Sequence, residues 1–140
     1  MTTTDIISLI SKIRAKVNRH IELEMSRQGM DGIVTSHGDI LYALFSRQRM
    51  TMAEIAGKID RDKSTVTALV KKLEGLGYVR KERGTEDTRI VYVTLTQKGI
   101  SLKPVFDKIS DDIIETLYKD IPDSDRDELL RILEKIYRNL

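Results

Sequence analysis

The chain has 140 residues, of which 40% are hydrophobic and 33% charged, and its formal net charge is +2. These values are typical of one soluble, strongly helical domain, or of one compact unit with appended helices. Cysteine is absent, which excludes disulfides, cysteine-ligated zinc and thiol redox chemistry. No apolar run is long enough to cross a membrane and the start lacks the basic residues of a signal peptide, so we expect a cytoplasmic protein.

Both ends of the chain carry apolar stripes at helical spacing. The pattern predicts a long helix from about Thr4 to Arg27, ended by Gly29, and further helices after the central region. Such stripes need a partner surface. We therefore expect residues 1–29 and 100–140 to be dimerisation helices of an intertwined homodimer. The alternative is that both ends pack only within one chain.

Local signals place several helix boundaries. Ser36 is predicted to cap a helix that leads into the central region. Thr96 is predicted to cap a long helix beginning near Gln97. Pro104 falls inside that helix, where its missing N–H predicts a bend. Pro122 is predicted to separate it from the last helix.

The region from Thr51 onward predicts two short helices joined by a tight turn. Thr51 and Glu54 fit a capping box, in which each side chain bonds the backbone of the other residue. Asp62 is a good N-cap for the second helix, which Gly75 and Gly77 are predicted to end. The apolar positions of that second helix follow a helical period: Val66, Leu69, Val70 and Leu73.

A β-hairpin is predicted directly after these helices. Residues 78–81 and 90–95 are rich in β-branched and aromatic side chains, and residues 82–89 form a charged loop between them. A helix-turn-helix followed by such a hairpin predicts a winged helix. The predicted fold is thus mainly α with a small β-hairpin wing, in which residues 30–99 form a winged helix-turn-helix flanked by N- and C-terminal dimerisation helices.

Charge is distributed unevenly along the chain. Residues 61–98 contain nine basic and five acidic side chains, whereas residues 107–128 contain nine acidic and three basic ones. A basic segment on an otherwise acidic chain is typical of a surface that binds a polyanion. This basic segment coincides with the predicted winged helix.

The polar face of the second helix carries short or basic side chains in its first turns. Such side chains let a helix approach base edges closely and let lysines pair with phosphates. The alternative is an ordinary solvated helix face. The candidate residues are Lys63, Ser64, Thr65, Thr67, Ala68 and Lys71.

Four short motifs carry a family resemblance. They are Ser64-Thr65-Val66-Thr67, Leu73-Glu74-x-x-Gly77-Tyr78-Val79, Glu86-Asp87-x-Arg89 and Val93-x-Leu95-Thr96-x-x-Gly99. With them the chain resembles the multiple-antibiotic-resistance regulator (MarR) family of bacterial and archaeal transcription factors. The resemblance extends in layout over all 140 residues, while its specific motifs fall within residues 60–99.

The resemblance implies that Arg89 enters the minor groove of double-stranded DNA and that Asp87 orients it. A narrow minor groove attracts an arginine, and a carboxylate two residues away is near enough for a bidentate pair. The alternative is a weak surface salt bridge. Arg83 is a further DNA-binding candidate in the wing. Ala68 departs from the family, since many relatives carry an arginine there.

The resemblance also implies a homodimeric regulator that represses by binding a pseudo-palindromic operator. A small-molecule effector is an option, in the crevice between the dimerisation helices and the winged helix-turn-helix of residues 30–99, which we call the reader. Whether His20, Glu24 or His37 line that crevice stays open. Groups for catalysis, cofactors or metal ions are lacking, so we expect no enzyme. The alternative function is a winged-helix module that docks an acidic protein without reading DNA sequence.

Overall fold

The computed structural model of the chain describes residues 1–30 and 32–140. A single 3₁₀ turn, Thr3–Asp5, leads into the first helix. The elements then follow in the order α1 (Ile6–Arg27), α2 (Thr35–Arg47), β1 (Arg49–Thr51), α3 (Met52–Ile59), α4 (Lys63–Gly75), β2 (Val79–Arg83), β3 (Val91–Leu95), α5 (Gln97–Ile100), α6 (Lys103–Leu117) and α7 (Asp123–Arg138).

The predicted fold class is confirmed: the chain is mainly helical, with a winged helix between N- and C-terminal helices. The wing extends into an antiparallel sheet of order β1-β3-β2, in which Met50 pairs with Val93. We had not predicted β1, which packs the chain before α3 against the hairpin. Strand β2 ends at Arg83, two residues beyond the predicted strand.

The core lies where the helices of the reader meet the inner face of this sheet. Ile40, Leu44, Ile55 and Val66 are fully buried there, and Phe106 of α6 joins the same cluster. Burial of these side chains provides the main stabilisation of the fold, at about 1.5–3 kcal/mol for each large apolar side chain. It also fixes how α4 lies on the molecule, because Val66, Val70 and Leu73 form its buried face.

Two helix starts in the reader agree with the predicted caps. The Thr51 hydroxyl accepts a hydrogen bond from the Glu54 N–H at 3.1 Å, and the Glu54 carboxylate accepts one from the Thr51 N–H at 3.1 Å. The Asp62 carboxylate accepts from the Thr65 N–H at 2.7 Å and so starts α4. The turn between the helices is tight because Asp60 takes a left-handed conformation, with φ of 56°.

The prediction that Ser36 caps α2 was wrong. The N-cap residue is Val34, and the helix begins at Thr35, so Ser36 lies inside its first turn. The Val34 N–H donates to Nδ1 of His37 at 3.0 Å, which places an imidazole where a capping box usually has a carboxylate. The Thr35 N–H and hydroxyl both donate to the Glu22 carboxylate of α1 at 3.1 Å. This start therefore depends on a residue 13 positions away, which a local pattern does not reveal.

The predicted bend at Pro104 was also wrong, because two helices replace the single long one. Thr96 caps the first of them as predicted, its hydroxyl accepting from the Gly99 N–H at 3.1 Å, but α5 ends at Ile100. Helix α6 then begins anew with Pro104 in its first turn. A proline is tolerated there because the first N–H groups of a helix have no partner within it.

Helix α7 carries large exposed apolar side chains. None of its residues is buried, although it runs from Asp123 to Arg138. The N-terminal half of α1 exposes isoleucines in the same way. The large exposed apolar side chains on these two helices are Ile6, Ile7, Leu9, Ile10, Ile13, Leu23, Leu129, Leu130, Ile132, Leu133 and Tyr137.

Among the residues that the structure describes, no helix combines the length and the apolar character needed to cross a membrane.

Candidate nucleic-acid interface

Helix α4 presents most of the predicted contact residues to solvent. Its buried face anchors it in the core, so the opposite face projects outward from a rigid support. Thr65 is half-buried and the remaining predicted residues of this helix are exposed. The exposed ones are Lys63, Ser64, Thr67, Ala68 and Lys71.

The hydroxyl groups of α4 already have hydrogen-bond acceptors. Ser64 Oγ donates to Asp62 Oδ1 at 2.9 Å, and Thr67 Oγ1 donates to the Lys63 carbonyl at 2.8 Å. Hydrogen bonds from the Thr65 backbone and hydroxyl, and from Ser64, hold the pKa of Asp62 below its usual value. Asp62 thus stays ionised at neutral pH and fixes the first turn of the helix.

One exposed lysine of α4, which the sequence analysis did not single out, lies beside the predicted residues Ser64, Thr65 and Ala68. The Lys72 ammonium lies against Gly32 in the loop before α2. Its charge and, more strongly, burial lower the pKa of His37, so this imidazole is neutral at pH 7. Lys72 therefore lies close enough to the start of α2 to disfavour a positive charge on His37.

The wing loop has a fixed backbone path. The Gly84 N–H donates to the Ile90 carbonyl at 2.8 Å, and the Ile90 N–H donates to the Asp87 carbonyl at 3.2 Å. A Cβ at Gly84 would lie 2.5 Å from the Asp87 carbonyl oxygen, so only glycine fits there. Arg83 donates from Nη1 to the Thr88 carbonyl at 2.8 Å, and this bond stabilises the loop.

Asp87 and Arg89 form a bidentate pair at the wing. Arg89 Nε donates to Asp87 Oδ1 at 3.1 Å and Nη2 donates to Oδ2 at 3.0 Å, while the Arg89 N–H also donates to Oδ1 at 3.0 Å. These bonds lower the pKa of Asp87 and raise that of Arg89. The Arg89 side chain is 90% exposed, so the pair presents a directed guanidinium to solvent.

A contact that the sequence did not suggest joins the turn of the reader to α2. Arg61 Nη2 donates to Ser36 Oγ at 3.0 Å, across 25 residues of sequence. Ser36 thus binds a side chain instead of capping its helix. This contact fixes the tight turn, and α4 after it, relative to the start of α2.

The residues that we left open do not come together in one pocket. Glu24 lines a crevice against α6, His37 lines a shallow depression beside α4, and His20 is exposed. A separate apolar crevice of about 180 Å³ lies between α1, α2 and α6, with Met25, Tyr42 and Phe106 in its wall. Within residues 1–30 and 32–140, no group of three histidine or acidic side chains is arranged to hold a metal ion.

Comparison with known proteins places these features in one family. The MarR family model matches residues 35–91. The HTH-type transcriptional regulator SarZ of Staphylococcus haemolyticus is 33% identical over 100 residues, which cover 71% of this chain and 67% of that protein. The HTH-type transcriptional regulator TtmR of Methylorubrum extorquens is 37% identical over 68 residues, which cover 49% of this chain and 35% of that protein.

Solved structures share the whole fold. The transcriptional regulator BldR of Sulfolobus solfataricus is 26% identical, with a TM-score of 0.79 over 100% of both chains. The MepR–DNA complex of Staphylococcus aureus has a TM-score of 0.86 at 23% identity, over 100% of this chain and 99% of that one. Because the MarR family model matches residues 35–91 and SarZ of S. haemolyticus is 33% identical over 71% of this chain and 67% of its own length, this chain belongs to the MarR family.

Proposed function

We propose that this protein is a homodimeric DNA-binding transcription regulator that represses by occupying a pseudo-palindromic operator. In this proposal residues 30–99 read DNA, and residues 1–29 and 100–140 hold two copies together. Helix α4 enters the major groove and the wing enters the adjacent minor groove. The observation that carries the proposal is the bidentate Asp87–Arg89 pair on a wing whose loop is fixed by Gly84.

The geometry of the reader supports DNA as the partner. The side chains on the outer face of α4 are short, so its backbone can come close to base edges. Lys63 and Lys71 are exposed and lie about two helical turns apart. Their ammonium groups are therefore placed to pair with phosphates on either side of the groove. MepR of S. aureus, which shares the fold, has been solved in complex with DNA.

The terminal helices support the homodimer. An amphipathic helix such as α7 gains little by folding unless its apolar face is covered, because most helical stability comes from packing. The exposed apolar faces of α1 and α7 are suited to cover one another across a two-fold axis. A dimer also supplies two readers for the two half-sites of a palindrome.

An effector has one candidate position in this scheme, the apolar crevice between α1, α2 and α6. A ligand there would touch α1 and α6, which are dimerisation helices in this proposal, and also α2, which packs against α3 and α4. It would release DNA only if it bound the DNA-free arrangement more tightly than the DNA-bound one.

Selection from a pool of random duplexes tests the DNA claim directly. At about 150 mM salt, where non-specific contacts are weakened, we expect an enriched inverted repeat with half-sites about ten base pairs apart. A pool that stays random after repeated rounds would contradict the proposal and favour the protein-interaction module. No catalytic step is part of this function.

Sedimentation of a charged variant tests the dimer. Leu133 lies in the apolar face of α7 and contributes nothing to the buried core, so Leu133→Glu is expected to give a folded monomer. Lys135→Glu, on the same helix, is the matched control and is expected to leave a dimer. A dimeric Leu133→Glu protein would show that α7 does not hold the two copies together.

A further inference from the structure

Helix α4 lacks three of the side chains that read bases through paired hydrogen bonds. Arginine reads guanine in this way, and asparagine or glutamine reads adenine. The sequence of α4, KSTVTALVKKLEG, contains none of these three. Lysine can also bond guanine, but Lys63 and Lys71 lie at the two ends of the exposed face, so the middle of the face reads bases only through short side chains.

The hydroxyl hydrogens of that face are bound within the first turns of the helix. Ser64 donates to Asp62 and Thr67 donates to the Lys63 carbonyl, as described above. While these bonds are kept, each hydroxyl offers a base only the oxygen, as an acceptor. Two or three acceptors alone are a weak code, because the amino groups of adenine and cytosine satisfy them equally well.

Methyl groups are what remains at the centre of the face. Since Thr67 Oγ1 is turned to the helix backbone, the methyl is the part of this exposed side chain that is left to contact a partner. The methyl of Ala68 is exposed directly beside it. In the major groove the 5-methyl of thymine is the apolar group that such a surface can contact.

Resting on the proposed function, we propose that α4 selects A·T pairs in each half-site through contact between the Thr67 and Ala68 methyls and the 5-methyl groups of thymine. Specificity in the major groove then comes from shape and apolar contact. The lysines at either end of the face supply affinity without sequence preference.

Deoxyuridine tests the proposal, because it removes only the thymine methyl and leaves base pairing and phosphates unchanged. Each thymine of the selected operator is replaced in turn, and binding is measured by fluorescence anisotropy at fixed salt. Loss of one contacted methyl is expected to weaken binding about fourfold, the value for one buried methylene. Replacements outside the half-sites are expected to change little.

A pair of variants assigns the contact to Thr67. Thr67→Ser removes the methyl and keeps the hydroxyl, so the thymine that Thr67 contacts is expected to become insensitive to deoxyuridine. Thr67→Val keeps a methyl and removes the hydroxyl, and the sensitivity is expected to persist. Both changes are small and exposed, and circular dichroism of each variant checks that α4 stays folded.

The outcomes separate this proposal from the function on which it rests. An enriched operator whose half-sites are read at G·C pairs, or whose thymines tolerate deoxyuridine throughout, overturns methyl readout and leaves the DNA-binding regulator intact. Failure to enrich any sequence overturns both. Sensitivity that is lost in Thr67→Ser and kept in Thr67→Val supports the proposal.

Discussion

Arg89→Ala is the substitution that most sharply examines the wing. Because the side chain is 90% exposed and bonds only Asp87 within the wing, its removal is expected to leave the fold intact. The proposed dimer carries two such arginines. If each displaces about 0.9 counterion on binding, the slope of log K against log salt becomes shallower by about 1.8.

The assay is a titration of the selected operator at several salt concentrations between about 50 and 200 mM, the range over which counterion release has a large effect. Lys108→Ala is the matched control, since it also removes one exposed charge per protomer but lies on α6 in the acidic segment. Its slope is expected to equal that of the unmodified protein.

Asp87→Asn changes both the orientation of Arg89 and the charge of the wing. It breaks the bidentate pair and removes a negative charge, so non-specific affinity is expected to rise while the ratio of specific to non-specific binding falls. An Arg89→Ala protein with unchanged operator affinity and unchanged salt slope would refute the assignment of the wing to the minor groove.

Two further predictions concern stability. Thr51→Ala removes the hydroxyl that caps α3 and is expected to lower the free energy of unfolding by about 1 kcal/mol in denaturant titrations. Thr51→Ser keeps a hydroxyl at this position and is expected to retain most of the stabilisation from the cap. Burial and Lys72 lower the pKa of His37 in the folded state, so the unfolded chain takes up a proton there first as the pH falls below about 6.5. The His37 contribution to stability is therefore complete above that pH and is lost as the pH falls toward the folded-state pKa. His37→Gln retains an acceptor for the Val34 N–H without titrating and is expected to flatten this dependence; an unchanged pH profile in the variant would exclude His37 as its source.

The sequence predicted the features that depend on near neighbours. Thr51, Asp62 and Thr96 each bond a backbone N–H three residues ahead, and all three caps are present as expected. The Asp87–Arg89 pair has the same local character, because its partners are two positions apart in the sequence. Such contacts form in nearly any arrangement of the surrounding fold, and for this reason a spacing rule finds them.

The features that were missed or wrong depend on distant partners. Strand β1 has only three residues, and Met50 finds its partner Val93 across more than forty positions. The start of α2 depends on Glu22 in another helix. Pro104 was read as an interruption, since a proline inside an apolar repeat looks the same whether it bends a helix or begins one.

The exposed face of α4 shows the same division. Its residues were predicted from the sequence, but the acceptors of the Ser64 and Thr67 hydroxyls follow only from the geometry of the first turns. These two hydrogen bonds are the observation on which the proposed methyl contact with thymine rests.

The central claim is that two copies related by a two-fold axis read two half-sites on one face of the duplex. Inserting five base pairs between the half-sites of the selected operator tests it most directly, because the insertion rotates one half-site by about half a turn. We predict that affinity falls to that of random DNA. Unchanged affinity for the lengthened operator would contradict a dimer that binds both half-sites at once.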